Sequence, residues 1–444
     1  MGLTEEQNHI YKTILNHLNT KYILTKFGIL VLNAPAGTGK THIITYLHNS
    51  LKANIIILAP THKACEVINS KLGNKNCNTI HRFLNATEEI DEITGEITFV
   101  MQSSSITDTI IIIDEASMVD KDMFNNFIEL SKTNLIVFIG DAFQIPPVKE
   151  SKSLVFTLPN PLTLTKNMRS TNSLSNHYLQ KFRDGVERIG TTMINNIDKK
   201  NKNFILNQFS KKEDIIILAW TNSKVKYWNN LIREDLFNDK IIDNLEKFYQ
   251  GEKLVFSGYR PINKEIKYYS NDIVKIKYLK IQFLDIKFPS CQHMTNSDEK
   301  GVGLDMKECN EKKKGGCKVC DIKSHKTPSK SIKFYTIIDQ NDIVWNKSFD
   351  EDNKEIRVIL NEYKHKALKL KNKNVWKEYY SMKNQYDPEL NYSYASTVHK
   401  AQGSAWNTVF VDINNIRFNK SMSDNTRLAY TAVSRMSDTV YFTN

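Results

Sequence analysis

The 444-residue chain carries 61 Lys plus Arg against 49 Asp plus Glu, a formal charge of +12, with 40% hydrophobic and 10% aromatic residues. That composition supplies sizeable cores and excludes wholesale disorder, and the length predicts two to four domains. No apolar run approaches the ~18 residues of a membrane span, the acidic start Met1-Gly2-Leu3-Thr4-Glu5-Glu6 fits neither a secretory signal nor a myristoylation site, and six cysteines are too few for a disulfide scaffold, so a soluble, intracellular, basic protein is expected.

Near the start, Thr4-Glu5-Glu6-Gln7 fits a capping box, with Thr4 as N-cap and Gln7 at the third helical position. The β-branched runs 28–34, 54–60, 109–114 and 134–141 then read as strands buried on both faces, alternating with helical stretches. This pattern predicts a doubly wound α/β domain over 1–150, with ligands at the carboxyl ends of its strands. Between two of these strands, 83–108 reads as an insert whose segment Glu92–Phe99 forms a short hairpin turning at Thr94-Gly95. A second α/β domain opens over 151–250 with a strand at 214–220 and a helix from Thr221 to about Leu236. It resumes over 386–444 with the strand Thr408-Val409-Phe410-Val411. The intervening region 251–385, rich in Lys and Tyr with short alternating strands, reads as an insertion.

Ala34-Pro35-Ala36-Gly37-Thr38-Gly39-Lys40-Thr41 follows a strand and precedes a helix. Backbone N–H groups of such a loop point at phosphate oxygens, and its glycines permit close approach. Lys40 would reach the outer phosphates and the Thr41 hydroxyl would hold Mg²⁺. The first position of the usual pattern is Gly and here is Ala34, which matters only if that backbone needs positive φ. Ile111-Ile112-Ile113-Asp114-Glu115 supplies a carboxylate for Mg²⁺, Asp114, and a general base for the attacking water, Glu115. A lone Asp-Glu after a strand would fit a helix cap equally well, but not 70 residues downstream of a phosphate loop. At the end of a third strand, Gln144 in Gly140-Asp141-Ala142-Phe143-Gln144 can sense the γ-phosphate. Asp141 and Gln144 also fit ordinary loop polar residues.

With these segments the chain resembles the superfamily 1 helicases, and closely the RecD/Dda branch, superfamily 1B. Further strings match that family in order: Leu58-Ala59-Pro60-Thr61-His62-Lys63-Ala64, Thr79-Ile80-His81, Leu164-Thr165 with Met168-Arg169, Ala219-Trp220-Thr221-Asn222, Ala395–Ser404 (ASTVHKAQGS) and Tyr430-Thr431-Ala432-Val433-Ser434-Arg435. The resemblance implies two RecA-like domains that close on ATP, a β-hairpin pin, and a small β-rich, SH3-like insertion domain. Arg169 and Arg435 would then reach the γ-phosphate, and Gln402 would join the catalytic set. Strand contacts would fall to Pro60, Thr61, His62, Thr79, His81, Asn222, Thr397, His399 and Lys400, mostly on phosphate and so sequence-independent. Gln7 resembles the adenine-reading glutamine of the family, a role that competes with the capping box for one amide. Phe99 on the hairpin is a candidate separation wedge, though an aromatic there also fits simple packing.

The implied activity is ATP- and Mg²⁺-dependent unwinding of DNA by a monomer tracking 5′ to 3′ on single strands and at single/double-strand junctions, serving replication or recombination. Compactness for the branch hints at a phage or virus. A translocase without unwinding, a helicase of opposite polarity and an ATP-gated DNA clamp fit the same residues less well. The clamp has no use for Glu115, Gln144, Arg169 and Arg435 together.

The insertion carries its own signal. Between Lys307 and Lys333 nine Lys and three acidic residues concentrate +6 of the charge, which suits a polyanion or a solvated loop. Within 288–330, Cys291, Cys309, Cys317 and Cys320 lie in a segment too poor in apolar residues to fold on its own core. Cys317-Lys318-Val319-Cys320 has zinc-knuckle spacing, so the four form a candidate structural Zn²⁺ site, with His293 or His325 as substitute ligands. Reduced loop thiols are the alternative reading. Cys65 and Cys77 read as small core or loop residues.

Overall fold

The computed structural model describes residues 2–20, 28–73, 76–101, 105–147, 150–168, 172–187, 197–237, 248–256, 260–261, 267–268, 272–287, 329–348, 353–386, 390–419 and 421–443. The chain forms two units, Met1–Thr87 with Met101–Asp243 and Tyr392–Asn444, and Glu88–Val100 with Asn244–Asn391.

The first unit begins with α1 (Glu5–Thr20), closed by the expected reciprocal cap. Gln7 N–H donates to Thr4 Oγ1 at 3.3 Å and Thr4 N–H to Gln7 Oε1 at 3.1 Å. There follow β1 (Ile29–Asn33), α2 (Lys40–Ser50), β2 (Ile55–Ala59), α3 (His62–Leu72), β3 (Cys77–Thr79) and α4 (Ile80–Phe83). Strands β4 (Thr87–Ile90) and β5 (Ile97–Val100) form the insert hairpin. Then β6 (Ile110–Ile113), α5 (Lys121–Leu130), β7 (Leu135–Gly140) and β8 (Leu162–Thr163) complete the first sheet, in the order β3-β2-β6-β7-β1-β8. Its paired strands are all parallel. Alternate residues serve opposite faces: Ile110 and Ile112 pack with Ile43, Ile44 and Leu47 of α2, while Ile111 and Ile113 pack with Met123 and Phe127 of α5. Two buried faces explain why these strands read as unbroken apolar runs. Because β8 pairs with β1, the first domain runs past the expected limit at 150. A two-residue strand carries no period to read.

The second domain opens with α6 (Ser173–Glu187), β9 (Lys199–Lys200), α7 (Lys202–Lys211), β10 (Ile215–Ala219) and α8 (Asn222–Leu236). The insertion then contributes β11 (Lys253–Phe256), β12 (Arg260–Pro261), β13 (Lys267–Tyr268), β14 (Ile273–Lys287), β15 (Ser329–Asp339), β16 (Val344–Ser348), α9 (Asn353–Leu370), α10 (Lys373–Tyr386) and β17 (Leu390–Tyr392). The chain returns through β18 (Ala395–Thr397), β19 (Trp406–Asp412), α11 (Ile413–Arg417), α12 (Met422–Val433) and β20 (Met436–Thr443). The second sheet has the order β18-β10-β19-β20-β9 and is also parallel. Its faces are covered by Ile205, Phe209 and Trp228 on one side and by Leu179, Phe182, Tyr430 and Val433 on the other.

The second unit departs from expectation in two places. Its sheet, β16-β15-β14-β11-β17, is built on one 15-residue strand rather than short ones, and two helices follow it. Ile356, Ile359, Leu360 and Tyr363 recur at helical spacing and pack on Ile286, Ile332 and Phe334, which fixes α9 against the sheet. The hairpin strands also differ, with β4 ending at Ile90 instead of a strand running through Glu92. Asp91 Oδ1 accepts from Ile93 N–H at 3.0 Å and Thr94 N–H at 2.6 Å, and these bonds fold 91–96 into the turn. The turn is braced within the unit: Trp376 Nε1 donates to Glu92 O at 3.0 Å and Tyr380 OH to Gly95 O at 2.6 Å. Gly95 has φ +74°, and a Cβ there would overlap the Trp376 ring. No helix among the described residues is long and apolar enough to cross a membrane.

Candidate nucleotide and strand sites

The phosphate loop joins β1 to α2 through two left-handed glycines, Gly37 at φ +83° and Gly39 at φ +87°. A Cβ on Gly39 would stand 2.5 Å from Gln7 Nε2. Ala34 is fully buried and is not among the residues with positive φ, so Ala serves at a position where the usual pattern has Gly. Lys40 Nζ donates to Ala34 O at 2.9 Å, and Thr38 Oγ1 closes the loop on Pro35 O at 2.8 Å.

Around this loop lies a cavity of about 260 Å³ lined from both sheets. Ala36, Gly37, Gly39, Lys40, Thr41, Asp114, Glu115 and Gln144 come from the first, and Ser404, Ser434 and Arg435 from the second. Asp114 is buried at the end of β6, and its Oδ1 has no hydrogen-bond partner among the described residues. Burial, then the Glu115 charge, push its carboxyl up to about 6 against the opposing pull of Lys40 and Lys71. An orphaned carboxylate oxygen beside a cavity-lining hydroxyl, Thr41, is a hard-oxygen pair that fits Mg²⁺. Glu115 has φ +50°, a left-handed backbone that non-glycine residues seldom adopt. Its Oε1 is 3.7 Å from Arg435 Nη1, so the expected base and the expected finger of the other domain already face each other. Gln144 is buried, donates to Asp141 Oδ2 at 3.3 Å, and has an Oε1 with no partner in the described structure.

Not every expected residue joins the cavity. Gln402 sits outside its lining and donates to Ile145 O at 3.0 Å, tying the second domain to the Gln144 loop. Gln7 is buried with both ends of its amide engaged, since Nε2 donates to Thr38 O at 3.4 Å, so it braces the phosphate loop as well as α1. Pro35 and Thr38 shape the loop from behind the lining. Arg169 lies outside the described residues, and so do Cys291, Cys309, Cys317, Cys320, His293 and His325 with the zinc expectation they carry. Just before Arg169, Met168 N–H donates to Gly37 O at 2.7 Å. Glu6 receives Thr165 through both its N–H, at 3.0 Å, and its hydroxyl. Those bonds hold the Glu6 carboxyl below the usual range.

The expected strand contacts gather at the C-terminal ends of neighbouring parallel strands. Ala59 pairs with Thr79 in the first sheet and Ala219 with Thr397 in the second. Thr61, Thr79 and Thr397 each accept a backbone N–H three residues on, at 3.2, 3.3 and 3.3 Å. Capping uses an oxygen lone pair and leaves the O–H of the half-buried Thr61 able to donate to a phosphate, whereas Thr79 and Thr397 are buried. Pro60 and His62 flank Thr61, Asn222 opens α8 on the exposed surface, and His399 and Lys400 are exposed. Desolvation lowers the pKa of the half-buried His81 and of His399, although His399 also reaches the surface, and this keeps both neutral near pH 7. Phe99 belongs to the second unit, half exposed on the braced hairpin. Residues not singled out from sequence include Lys71, Ser404 and Ser434 of the lining. The serines lie inside motif strings but carry no charge to mark them, and Lys71 is one lysine among many. Gly403, φ +76°, is required because a Cβ would meet Thr61 Oγ1 at 2.8 Å.

A phosphate loop, a carboxylate pair and an opposed arginine between two parallel sheets define a P-loop nucleotide-binding protein of two RecA-like domains. An AAA domain model matches residues 3–202 and a UvrD-like helicase C-terminal domain model matches 392–443. The chain is 28% identical to the ATP-dependent DNA helicase dda of Enterobacteria phage T4, over 60% of this chain and 63% of that protein. Against the RecBCD enzyme subunit RecD of Buchnera aphidicola it is 29% identical over 47% of this chain and 38% of that one. The match to these two relatives thus spans less than two thirds of either. A protein of Acanthamoeba polyphaga mimivirus is 28% identical over 92% of this chain and 93% of its own. The fold also matches a structure of two coordinating Pif1 helicases at forked DNA, with TM-score 0.50 and 16% identity over 100% of this chain and 92% of that one. These matches support a superfamily 1B helicase of the RecD/Dda branch.

Proposed function

We propose that this protein is an ATP-dependent DNA helicase that moves 5′ to 3′ along single-stranded DNA as a monomer and separates the duplex ahead of it. The observation that carries the reading is the cavity in which Lys40, Thr41, Asp114 and Glu115 of the first sheet meet Arg435 of the second. Lys40 binds the outer phosphates, and Glu115 orients and deprotonates the attacking water. Arg435 offsets charge as it develops on the γ-phosphate, and it does so best when the two domains are drawn together. Thr41 and Asp114 would hold Mg²⁺, which when bound neutralises phosphate charge. Loss of the γ-phosphate removes the group that both domains grip, and the resulting opening shifts strand contacts at Thr61, Thr79, Thr397 and Lys400. The name of the phage T4 relative supports DNA as the track, and the polarity follows from the branch.

The test is ATP-driven unwinding of one duplex carrying either a 5′ or a 3′ single-stranded tail, with Glu115→Gln as control. Unwinding from the 5′ tail alone, lost in the variant, is expected. Unwinding from the 3′ tail alone would keep the engine and reverse the polarity. Gly95→Ala, which must displace the Trp376 brace of the hairpin, should slow strand separation while strand-stimulated ATP turnover persists. Turnover with no unwinding in the unmodified protein would make it a translocase.

A further inference from the structure

Between the phosphate loop and Arg435 lies a buried polar junction that the hydrolytic machinery does not account for. Asp141, fully buried after β7, accepts three hydrogen bonds on Oδ2: Ala36 N–H of the phosphate loop at 3.1 Å, Gln144 Nε2 at 3.3 Å and Tyr430 OH at 2.7 Å. Its Oδ1 takes Phe143 N–H at 3.0 Å. Tyr430 is itself fully buried, on α12 of the second domain. Burial, then the Asp141 charge, raise its phenol well above the ordinary value, so the hydroxyl stays protonated and the donor in this pair is fixed.

The same helix grips the rest of the Gln144 loop. Arg427 Nη1 donates to Ala142 O at 2.8 Å and Gln144 O at 3.3 Å, and Ile145 N–H donates to Thr431 Oγ1 at 3.0 Å. Residues 427, 430 and 431 stand at helical i, i+3, i+4 spacing and so share one face. Arg435 follows Tyr430 by about one and a half helical turns. It leans on the helix end through Nε to Thr431 O at 3.3 Å and Nη2 to Ser434 Oγ at 3.0 Å. A continuous path of hydrogen bonds therefore runs from the phosphate loop through a buried carboxylate to the helix that precedes the finger.

We propose that Tyr430 and Asp141 are positioning residues that couple the phosphate loop to Arg435, so that the finger is aligned only when the loop is in its nucleotide-gripping conformation. This rests on the hydrolytic reading above. A purely structural hydrogen bond would affect every liganded state alike. A coupling bond affects the state in which Arg435 engages the γ-phosphate position.

The experiment compares the affinity of the full chain for ADP with that for ADP plus aluminium fluoride, both with Mg²⁺, in the unmodified protein, Tyr430→Phe, Arg435→Ala and the double variant. Tyr430→Phe keeps the ring and removes only the hydroxyl, and unchanged ADP affinity certifies its fold. The gain in affinity on adding aluminium fluoride should fall about tenfold in Tyr430→Phe, the scale of one hydrogen bond to a charged group. It should fall no further when Tyr430→Phe is added to Arg435→Ala. Arg427→Gln, which loosens the same loop from the same helix, should reproduce part of the loss. An unchanged gain in Tyr430→Phe overturns the coupling and leaves the hydrolytic reading standing, as do multiplicative losses in the double variant. An unmodified protein that shows no gain at all overturns both.

Discussion

The strand Ile-Ile-Ile-Leu-Ala occurs twice, as β2 at 55–59 and β10 at 215–219, at the same place in each parallel sheet. Leu58 is paired with Ile113 and Leu218 with Val411, so Asp114 and Asp412 occupy equivalent sites, one residue beyond the neighbouring strand's partner. Their surroundings are opposite. Asp412 is fully buried and satisfied: Oδ2 accepts Trp228 Nε1 at 2.7 Å with Lys224 Nζ at 3.6 Å, and Oδ1 caps α11 by accepting Asn415 N–H at 2.9 Å. Asp114 has an oxygen without a partner among the described residues and a cavity in front of it. One frame thus makes a chemical site where its carboxylate is left wanting a cation and a structural pin where the chain supplies its own donors.

The largest expected effect separates these two carboxylates. Asp114→Asn and Glu115→Gln should each lower strand-stimulated ATP turnover by about a hundredfold or more. Melting should be unchanged or raised in Asp114→Asn, because a desolvated buried charge is removed. Asp412→Ala should do the reverse, costing about 3–5 kcal/mol of stability by stranding its buried partners, while turnover per folded molecule holds. Phosphate release and thermal melting on the same samples decide it, and equal turnover losses at both sites would break the distinction.

Much of the first sheet was legible because a strand covered on both faces leaves an unbroken apolar run, as in the fully buried Ile110–Ile113. The phosphate loop was legible because its glycines and lysine are required by geometry. The difference between Asp114 and Asp412 was not, since each simply follows a buried strand and only tertiary partners tell them apart. Gln402 shows the same limit: its motif suggests catalysis, whereas its amide is committed to Ile145 O. Tyr430 and Asp141 lie inside motif strings, but a bond between residues 289 positions apart leaves no local trace. In the insertion, Lys-rich composition drew attention from the stripe Ile356, Ile359, Leu360, Tyr363 that builds α9.

A smaller effect separates the two cap threonines that follow the repeated strand. Thr221 Oγ1 accepts Lys224 N–H at 3.3 Å and is also held by Asn415, whose Nδ2 lies at 3.2 Å. Thr61 Oγ1 accepts only Ala64 N–H among the described residues, so its proton is available to a strand phosphate. Substitution by Ala should cost about 1 kcal/mol of stability at either position. Single-strand affinity should fall severalfold for Thr61→Ala and barely for Thr221→Ala, measured by fluorescence anisotropy. Equal losses of affinity would mean that the Asn415 bonds do not withdraw Thr221 from the strand.

The smallest effect concerns charge at the two strand sites. In the first sheet Lys63 pairs with Glu66 at 2.9 Å, and in the second Lys400 is exposed. Each phosphate neutralised by a lysine adds about 0.7 to the slope of log affinity against log salt on single strands. Lys400→Gln should remove up to about that much, and Lys63→Gln less than the full increment, because part of its charge is already spent on Glu66. His81 and His399 have lowered pKa values, so at pH 7.5 both are neutral and their Gln variants should leave the slope unchanged. Below the ordinary histidine value of about 6.5 they begin to protonate. Affinity for the polyanion should then rise as pH falls, and the rise should shrink in His399→Gln. A slope change at pH 7.5 in either histidine variant would show a charged imidazole on the strand and contradict the lowered pKa of both rings.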